Sequence, residues 1–168
     1  MGEGEKTRLV AWYDEMKAVH GRLRRALELV LDTAGPDRRP AGAAPAADAS
    51  LDDLLVYCRG FCTALTRHHT SEDTVLFPEL EHRHPELGAT LRALRQDHSM
   101  IAYLVTDLEQ TVDRAREPGP GGSEAVLRHL EGVGAIMESH FRYEEKALGE
   151  VLTALDLDAA REVVLGPL

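Results

Sequence analysis

Two stretches of this 168-residue chain set an imidazole and a carboxylate four residues apart, His68 with Glu72 and His140 with Glu144. Each is preceded by a single histidine, His20 and His98, at similar separations of 68 − 20 = 48 and 140 − 98 = 42 residues. On a helix, positions i and i+4 share one face a turn apart, so each HxxxE pair can aim both groups at one spot. Imidazole with carboxylate, and no thiolate in the set, suits iron or manganese better than a structural zinc. The internal repeat is explained most simply by a pseudo-two-fold axis through a two-metal centre, each half giving two histidines and one carboxylate able to bridge two cations.

Such a centre needs helices to carry it, and the composition provides for them. The chain has 24 Leu and 21 Ala against 2 Ile, favouring strong helix formers over strand formers. Gly35–Ser50 and Glu117–Ser123 are loops punctuated by Pro and Gly, and HRHPEL contains Pro85, whose predecessor resists helical geometry. Four amphipathic segments remain. The first, about Lys6 to Ala34, runs through Leu9, Trp12, Tyr13, Met16, Leu23, Leu27 and Val30. The second starts at Ser50, read as its N-cap, and runs to about Glu81 through Leu54, Cys58, Phe61, Leu65 and Leu76. The third, about Pro85 to Arg116, carries Leu87, Leu91, Leu94, Ile101, Val105, Leu108 and Val112. The fourth begins at Ser123 and uses Val126, Leu130, Val133, Met137, Phe141, Leu148 and Val151. The expected fold is all-α, an up-down-up-down four-helix bundle in a single domain spanning residues 1 to 168. Its core covers about 6 to 155, with a short C-terminal helix over about 156 to 166.

Every stripe has a polar gap. His20 interrupts the first, His68 and Glu72 the second, His98 the third, and His140 with Glu144 the fourth. Chain length tests whether the gaps meet. From the middle of the His68 and Glu72 pair to His82 is 82 − 70 = 12 residues, and from Glu86 to His98 is 98 − 86 = 12. On the next turn the two distances are 117 − 98 = 19 and 142 − 123 = 19. The first pair fits less well, 34 − 20 = 14 against 70 − 51 = 19, a mismatch of about 7 Å at the helical rise. Six polar groups at one depth of an apolar core would be severely destabilising without partners, and coordination supplies them.

At these residues the chain resembles the hemerythrin family, in particular the HHE-type hemerythrin-like domains with the motif H…HxxxE…H…HxxxE. It reads VHGRL at His20, RHHTSED over Arg67–Asp73, QDHSM at His98 and SHFRYEE over Ser139–Glu145, and the likeness covers about Leu9 to Leu155. The resemblance implies a non-haem centre of two iron ions bridged by Glu72, Glu144 and an oxo or hydroxo group. One iron would take His20 and His68, the other His98 and His140. Oxygen-carrying hemerythrins supply HxxxH on the third helix, where this chain has Ala102, and an Asp at i+5 on the fourth, where it has Glu144 at i+4. Fewer histidine ligands leave more open positions. The expected chemistry is therefore binding or reduction of a small oxidant (dioxygen, hydrogen peroxide or nitric oxide) rather than simple carriage, with the electron donor unspecified. The alternatives are an iron or oxygen sensor or iron-handling module without turnover, and a di-iron oxidase acting on an organic substrate.

Other residues receive plainer readings. His69 and Tyr13 are candidates for a seventh ligand, and His69 suits a supporting role behind the ligands as well as it suits exposure. Asp73, Asp97 and Glu145, each beside a proposed ligand, can accept hydrogen bonds from ligand imidazoles. His82, His84 and His129 are expected in solvent, Cys58 and Cys62 in the core as reduced thiols, and Trp12 and Tyr57 as core aromatics. A formal charge of 19 − 29 = −10 without a basic cluster argues against nucleic acid and anionic membrane surfaces. No leader or membrane-length apolar run is visible, and Lys6 stands where a myristoylation signal needs Ser or Thr, so a cytoplasmic monomer or homodimer is expected.

Overall fold

The computed structural model describes residues 10–34, 47–117, 119 and 121–167, and among these there are helices and no strand. Helix α1 spans Trp12–Ala34 and α2 spans Ala47–Ser71. A π-helical turn, Glu72–Leu76, joins α2 directly to α3, Phe77–Arg83. A 3-10 turn, Pro85–Leu87, leads into α4, Gly88–Ala115, and the two last helices are α5, Gly122–Thr153, and α6, Arg161–Leu165.

The π turn has a cause in the sequence. Pro78, in the first turn of α3, has no N–H for the helical ladder, and its ring would crowd the carbonyl four residues back in regular α geometry. Widening the preceding turn relieves both problems and lets the helix continue. The widened turn is the one that carries Glu72.

The apolar stripes pack as expected. Trp12, Met16, Leu23, Leu27 and Val30 on α1 are buried, as are Leu91, Leu94, Ile101, Val105, Leu108 and Val112 on α4 and Leu130, Met137, Phe141 and Leu148 on α5. Helix α5 packs against both α4 and α1, α1 also packs on α2, and α6 lies against α2 and the π turn. The apolar cluster is continuous through these elements.

Several expectations are corrected. Helix α2 begins at Ala47, so Ser50 lies inside the helix and is not its N-cap. The C-terminal helix is shorter than expected, because residues 155–160 are not helical. That stretch instead runs past α1, where Trp12 Nε1 donates to the Leu157 carbonyl at 3.3 Å. Tyr57 is 44% exposed and is not a core aromatic. It sits just outside the edge of the α2 stripe formed by Leu54, Leu55, Cys58, Phe61 and Cys62. Lys6 and Leu9 lie outside the described residues.

Candidate metal centre

Five segments bring seven titratable side chains to one place. Helix α1 supplies His20, α2 supplies His68 and His69, the π turn Glu72, α4 His98, and α5 His140 and Glu144. All seven are buried, none more than 5% exposed. Adjacent residues on a helix point about 100° apart, so His68 and His69 straddle the inward line and face different halves of the cluster. The mismatch in chain length between α1 and α2 does not keep His20 from His68, whose rings lie 5.1 Å apart edge to face. Helix α2 extends further from the site than α1, 70 − 47 = 23 residues against 34 − 20 = 14.

The side chains fall into two groups, each with its donor atoms within 4.8 Å of one another and able to hold a metal ion. One is His20, His68, Glu72 and Glu144; the other is His69, Glu72, His98 and His140, so Glu72 belongs to both. Its Oε1 is 3.1 Å from His68 Nε2 and its Oε2 is 3.3 Å from His98 Nε2. Glu144 Oε2 lies 3.3 Å from His20 Nε2 and 3.6 Å from His140 Nε2. The geometry therefore has one carboxylate between the groups and a second alongside both.

The outward nitrogens of four rings are anchored. Nδ1 of His20 meets Glu145 Oε1 at 2.8 Å, Nδ1 of His98 meets Asp73 Oδ1 at 2.7 Å, and Nδ1 of His140 meets Asp97 Oδ2 at 3.2 Å. Nδ1 of His68 meets the Leu165 carbonyl at 2.7 Å. An imidazole donating from Nδ1 to an oxygen presents a lone pair at Nε2, the form that binds metal. Further contacts hold these partners. Arg24 bridges Glu138 and Glu145 at 2.8 and 3.4 Å, and the His20 ring stacks on Phe141 at 3.9 Å between centroids.

The inward side of the cluster is short of partners. His20 Nε2, His68 Nε2, His69 Nε2 and all four oxygens of Glu72 and Glu144 are buried without a hydrogen bond. They lie close together, but the angles do not make hydrogen bonds of those approaches. His98 Nε2 and His140 Nε2 face each other at 3.0 Å. With both Nδ1 atoms donating outward, that pair sets lone pair against lone pair unless a cation or proton lies nearby. Buried polar atoms are seldom left unpaired, and each costs about 1–3 kcal/mol when it is. The donor set fits a pair of cations.

The metal-free electrostatics agree. Burial alone would push the His20 and His98 imidazoles down, but Glu144 and Glu145 beside His20, and Asp73 and Glu72 beside His98, outweigh it and hold the two at about 9 and about 10. Burial and the Glu144 charge push Glu72 up to about 8. Burial and the neighbouring His20 drive His68 down to about 3. Without a cation, the site holds itself together by retaining protons.

The model of the hemerythrin HHE cation-binding domain matches residues 12–152, a span containing all seven side chains. The chain belongs to the hemerythrin HHE domain family. No curated protein and no solved structure matches the chain.

Within this hemerythrin domain, all six residues selected from the sequence converge, and Asp73, Asp97 and Glu145 take the accepting positions expected of them. Of the readings given to His69, the structure fits that of a seventh ligand: it is neither exposed nor behind the ligands, but inside the second group. The spacing HHxxxE contained that signal, since the residue after an inward histidine is only a third of a turn away. The Leu165 carbonyl was missed and had no signal, because any residue carries a carbonyl. Its position depends on Gly166, which has φ +90°, and a Cβ there would come within 3.0 Å of His68 Cα. Tyr13 packs against Gly149, with Lys17 Nζ over its ring. Cys58 and Cys62 are buried and free. The side chains of His84 and His129 are each 37% exposed, beside Glu86 and Asp107, and His82 is exposed.

Proposed function

We propose that this hemerythrin domain holds two iron ions with a bridging oxo or hydroxo group and binds or reduces a small oxidant: dioxygen, hydrogen peroxide or nitric oxide. His20, His68 and Glu144 would serve one ion, His98 and His140 with His69 the other, and Glu72 would be shared between them. The whole chain acts as one domain, an up-down-up-down bundle in which equal chain lengths across the second and third connections keep the ligands of the last three long helices level.

The observation that carries this reading is the set of seven buried, unpartnered nitrogen and oxygen atoms on the inner face of a cluster whose outer nitrogens are already bonded. Imidazole and carboxylate without thiolate favour iron over structural zinc. When bound, the irons would supply one-electron chemistry toward the oxidant. The chain's own residues do the rest. Asp73, Asp97, Glu145 and the Leu165 carbonyl fix four ring orientations and make the nitrogens better donors. The buried shell around Phe141 excludes bulk water from the His20 side. Protons held at His20, His98 and Glu72 leave when cations enter.

Metal analysis of the purified protein tests the proposal, with about two irons per chain expected from the two donor groups. Anaerobic mixing with dioxygen, peroxide and nitric oxide then identifies the oxidant by its change in visible absorption. Protein isolated with stoichiometric zinc, or full iron retention by the double variant Glu72→Ala and Glu144→Ala, would overturn it.

A sensing or iron-handling role is the second reading. It is favoured by the tail: His68 is bonded to the Leu165 carbonyl, so metal occupancy and docking of α6 are mechanically linked. Circular dichroism with and without chelator separates the two. A bundle that melts without iron supports sensing, and a rigid metal-free form with rapid peroxide turnover supports an enzyme.

A further inference from the structure

The two donor groups differ in their access to the outside. His20, His68, Glu72 and Glu144 are each 0% exposed, whereas His69 and His98 retain 5% and 4%. Those two form the floor of a cleft of about 140 Å³ between α2 and α4. Thr66, Thr70, Asp73 and Ser99 stand around it, Ala102 forms part of its α4 wall, and aliphatic side chains complete the lining. His69, whose Nε2 is one of the unpartnered atoms, lines this cleft.

We propose that this cleft is the entry port for the small ligand, that it leads to the second metal position, and that Ala102 sets its bore. The inference rests on the two-iron reading above and specifies the ligand class further. A cavity of about 150 Å³ already takes a benzene ring, so 140 Å³ admits a molecule of a few atoms up to about a single ring, but not a lipid or other extended organic substrate. Aliphatic groups and hydroxyls make up most of the lining and Asp73 places a carboxylate beside it, which suits a neutral molecule better than an anion. A larger apolar groove of about 590 Å³ lies between α4 and α5 around Met100, Leu104 and Ile136, but none of the seven site residues lines it. An organic molecule bound there would not touch the ligands. The port therefore argues against an oxidase for extended organic substrates and is of a size for a diatomic oxidant or peroxide.

Ala102 is solvent-facing on α4, so enlarging it costs little packing. Ala102→Trp should fill the cleft and slow the association of nitric oxide with the iron-loaded protein by about tenfold or more in stopped flow. Iron content and melting temperature should remain those of the parent. Met100→Trp, in the other groove, is the control and should leave the rates unchanged. A second readout is independent of iron. In the zinc-substituted protein, dissolved dioxygen should broaden the methyl NMR signals of Ile101 and Val105, which line the cleft, and Ala102→Trp should abolish the broadening. Unchanged association rates in an iron-replete Ala102→Trp protein, or equal slowing by Met100→Trp, would overturn the port. A parent protein that takes up no iron would overturn the two-iron reading, while the broadening experiment still decides the port.

Discussion

Replacing both core carboxylates by leucine should make the metal-free protein more stable, not less. Glu72 and Glu144 contribute four of the seven buried atoms without hydrogen bonds. At the low end of the cost of an unsatisfied buried group, about 1 kcal/mol each, the four oxygens destabilise the metal-free fold by about 4 kcal/mol. The low end is appropriate because the protonated rings of His20 and His98 partly compensate the carboxylates beside them. Leucine is close to glutamate in size and carries no buried polar atom, and without the carboxylates burial lets His20 and His98 shed their protons, so no uncompensated charge is left behind. For a chain of this length each kcal/mol moves the melting temperature by about 2–4 °C, so the double variant should melt about 8–16 °C above the chelated parent. Added metal should raise the parent and leave the variant where it was. Differential scanning calorimetry in chelator, then with iron under anaerobic conditions, gives all four numbers. A metal-free variant that melts below the metal-free parent would show that histidinium already satisfies the carboxylates. The case for a cation built on unpartnered atoms would then fail.

Three further expectations follow from the same geometry. The ordinary values for His20, His98 and Glu72 are 6.5, 6.5 and 4.5, and the metal-free fold raises them to about 9, about 10 and about 8. Their stabilisation is therefore full below the ordinary values and is lost as the pH rises through the raised ones. The metal-free melting temperature should fall between about pH 6.5 and pH 10 while metal affinity rises, because binding displaces the same protons; a flat metal-free profile contradicts this. Gly166→Ala would set a Cβ 3.0 Å from His68 Cα and 3.1 Å from its N at φ +90°, pushing the tail off α2 and removing the Leu165 acceptor. Metal affinity in chelator competition should drop by about 10–100-fold, and unchanged affinity would show that this carbonyl is dispensable. Glu145→Ala takes the acceptor from His20 and a partner from Arg24 and should weaken binding by about tenfold in the same assay, with the affinity restored in Glu145→Gln, whose amide oxygen still accepts.

Helix positions and inward faces could be read along the chain because both follow from local periodicity. A polar residue that replaces Leu in a stripe of period 3.6 must point where Leu would have pointed, so His20, His98, His140 and the two glutamates are found by pattern alone. Equal chain lengths across the second and third connections then put the groups of the last three long helices at one depth, whereas the first connection, 14 residues against 19, left the level of His20 to the tertiary structure. Asp73, Asp97 and Glu145 were recognisable as acceptors because each stands next to a ligand in sequence. The same periodicity misjudged Tyr57, at the edge of a stripe, where the half-turn between buried and exposed is decided by the neighbouring helix.

By itself, then, the sequence determined the helices, the six inward groups and their pairing into two HxxxE halves, since each of these depends on residues within a few turns of one another. Only the tertiary structure decided the rest. It brought His69 into the second group, because a residue a third of a turn off the centre line is inside or outside according to how α2 is rotated against α4. It set the Leu165 carbonyl on His68, because a backbone oxygen becomes a partner only where a distant segment docks. It also opened the cleft beside Ala102, because a cavity is the space between two helices and no residue on either one encodes it.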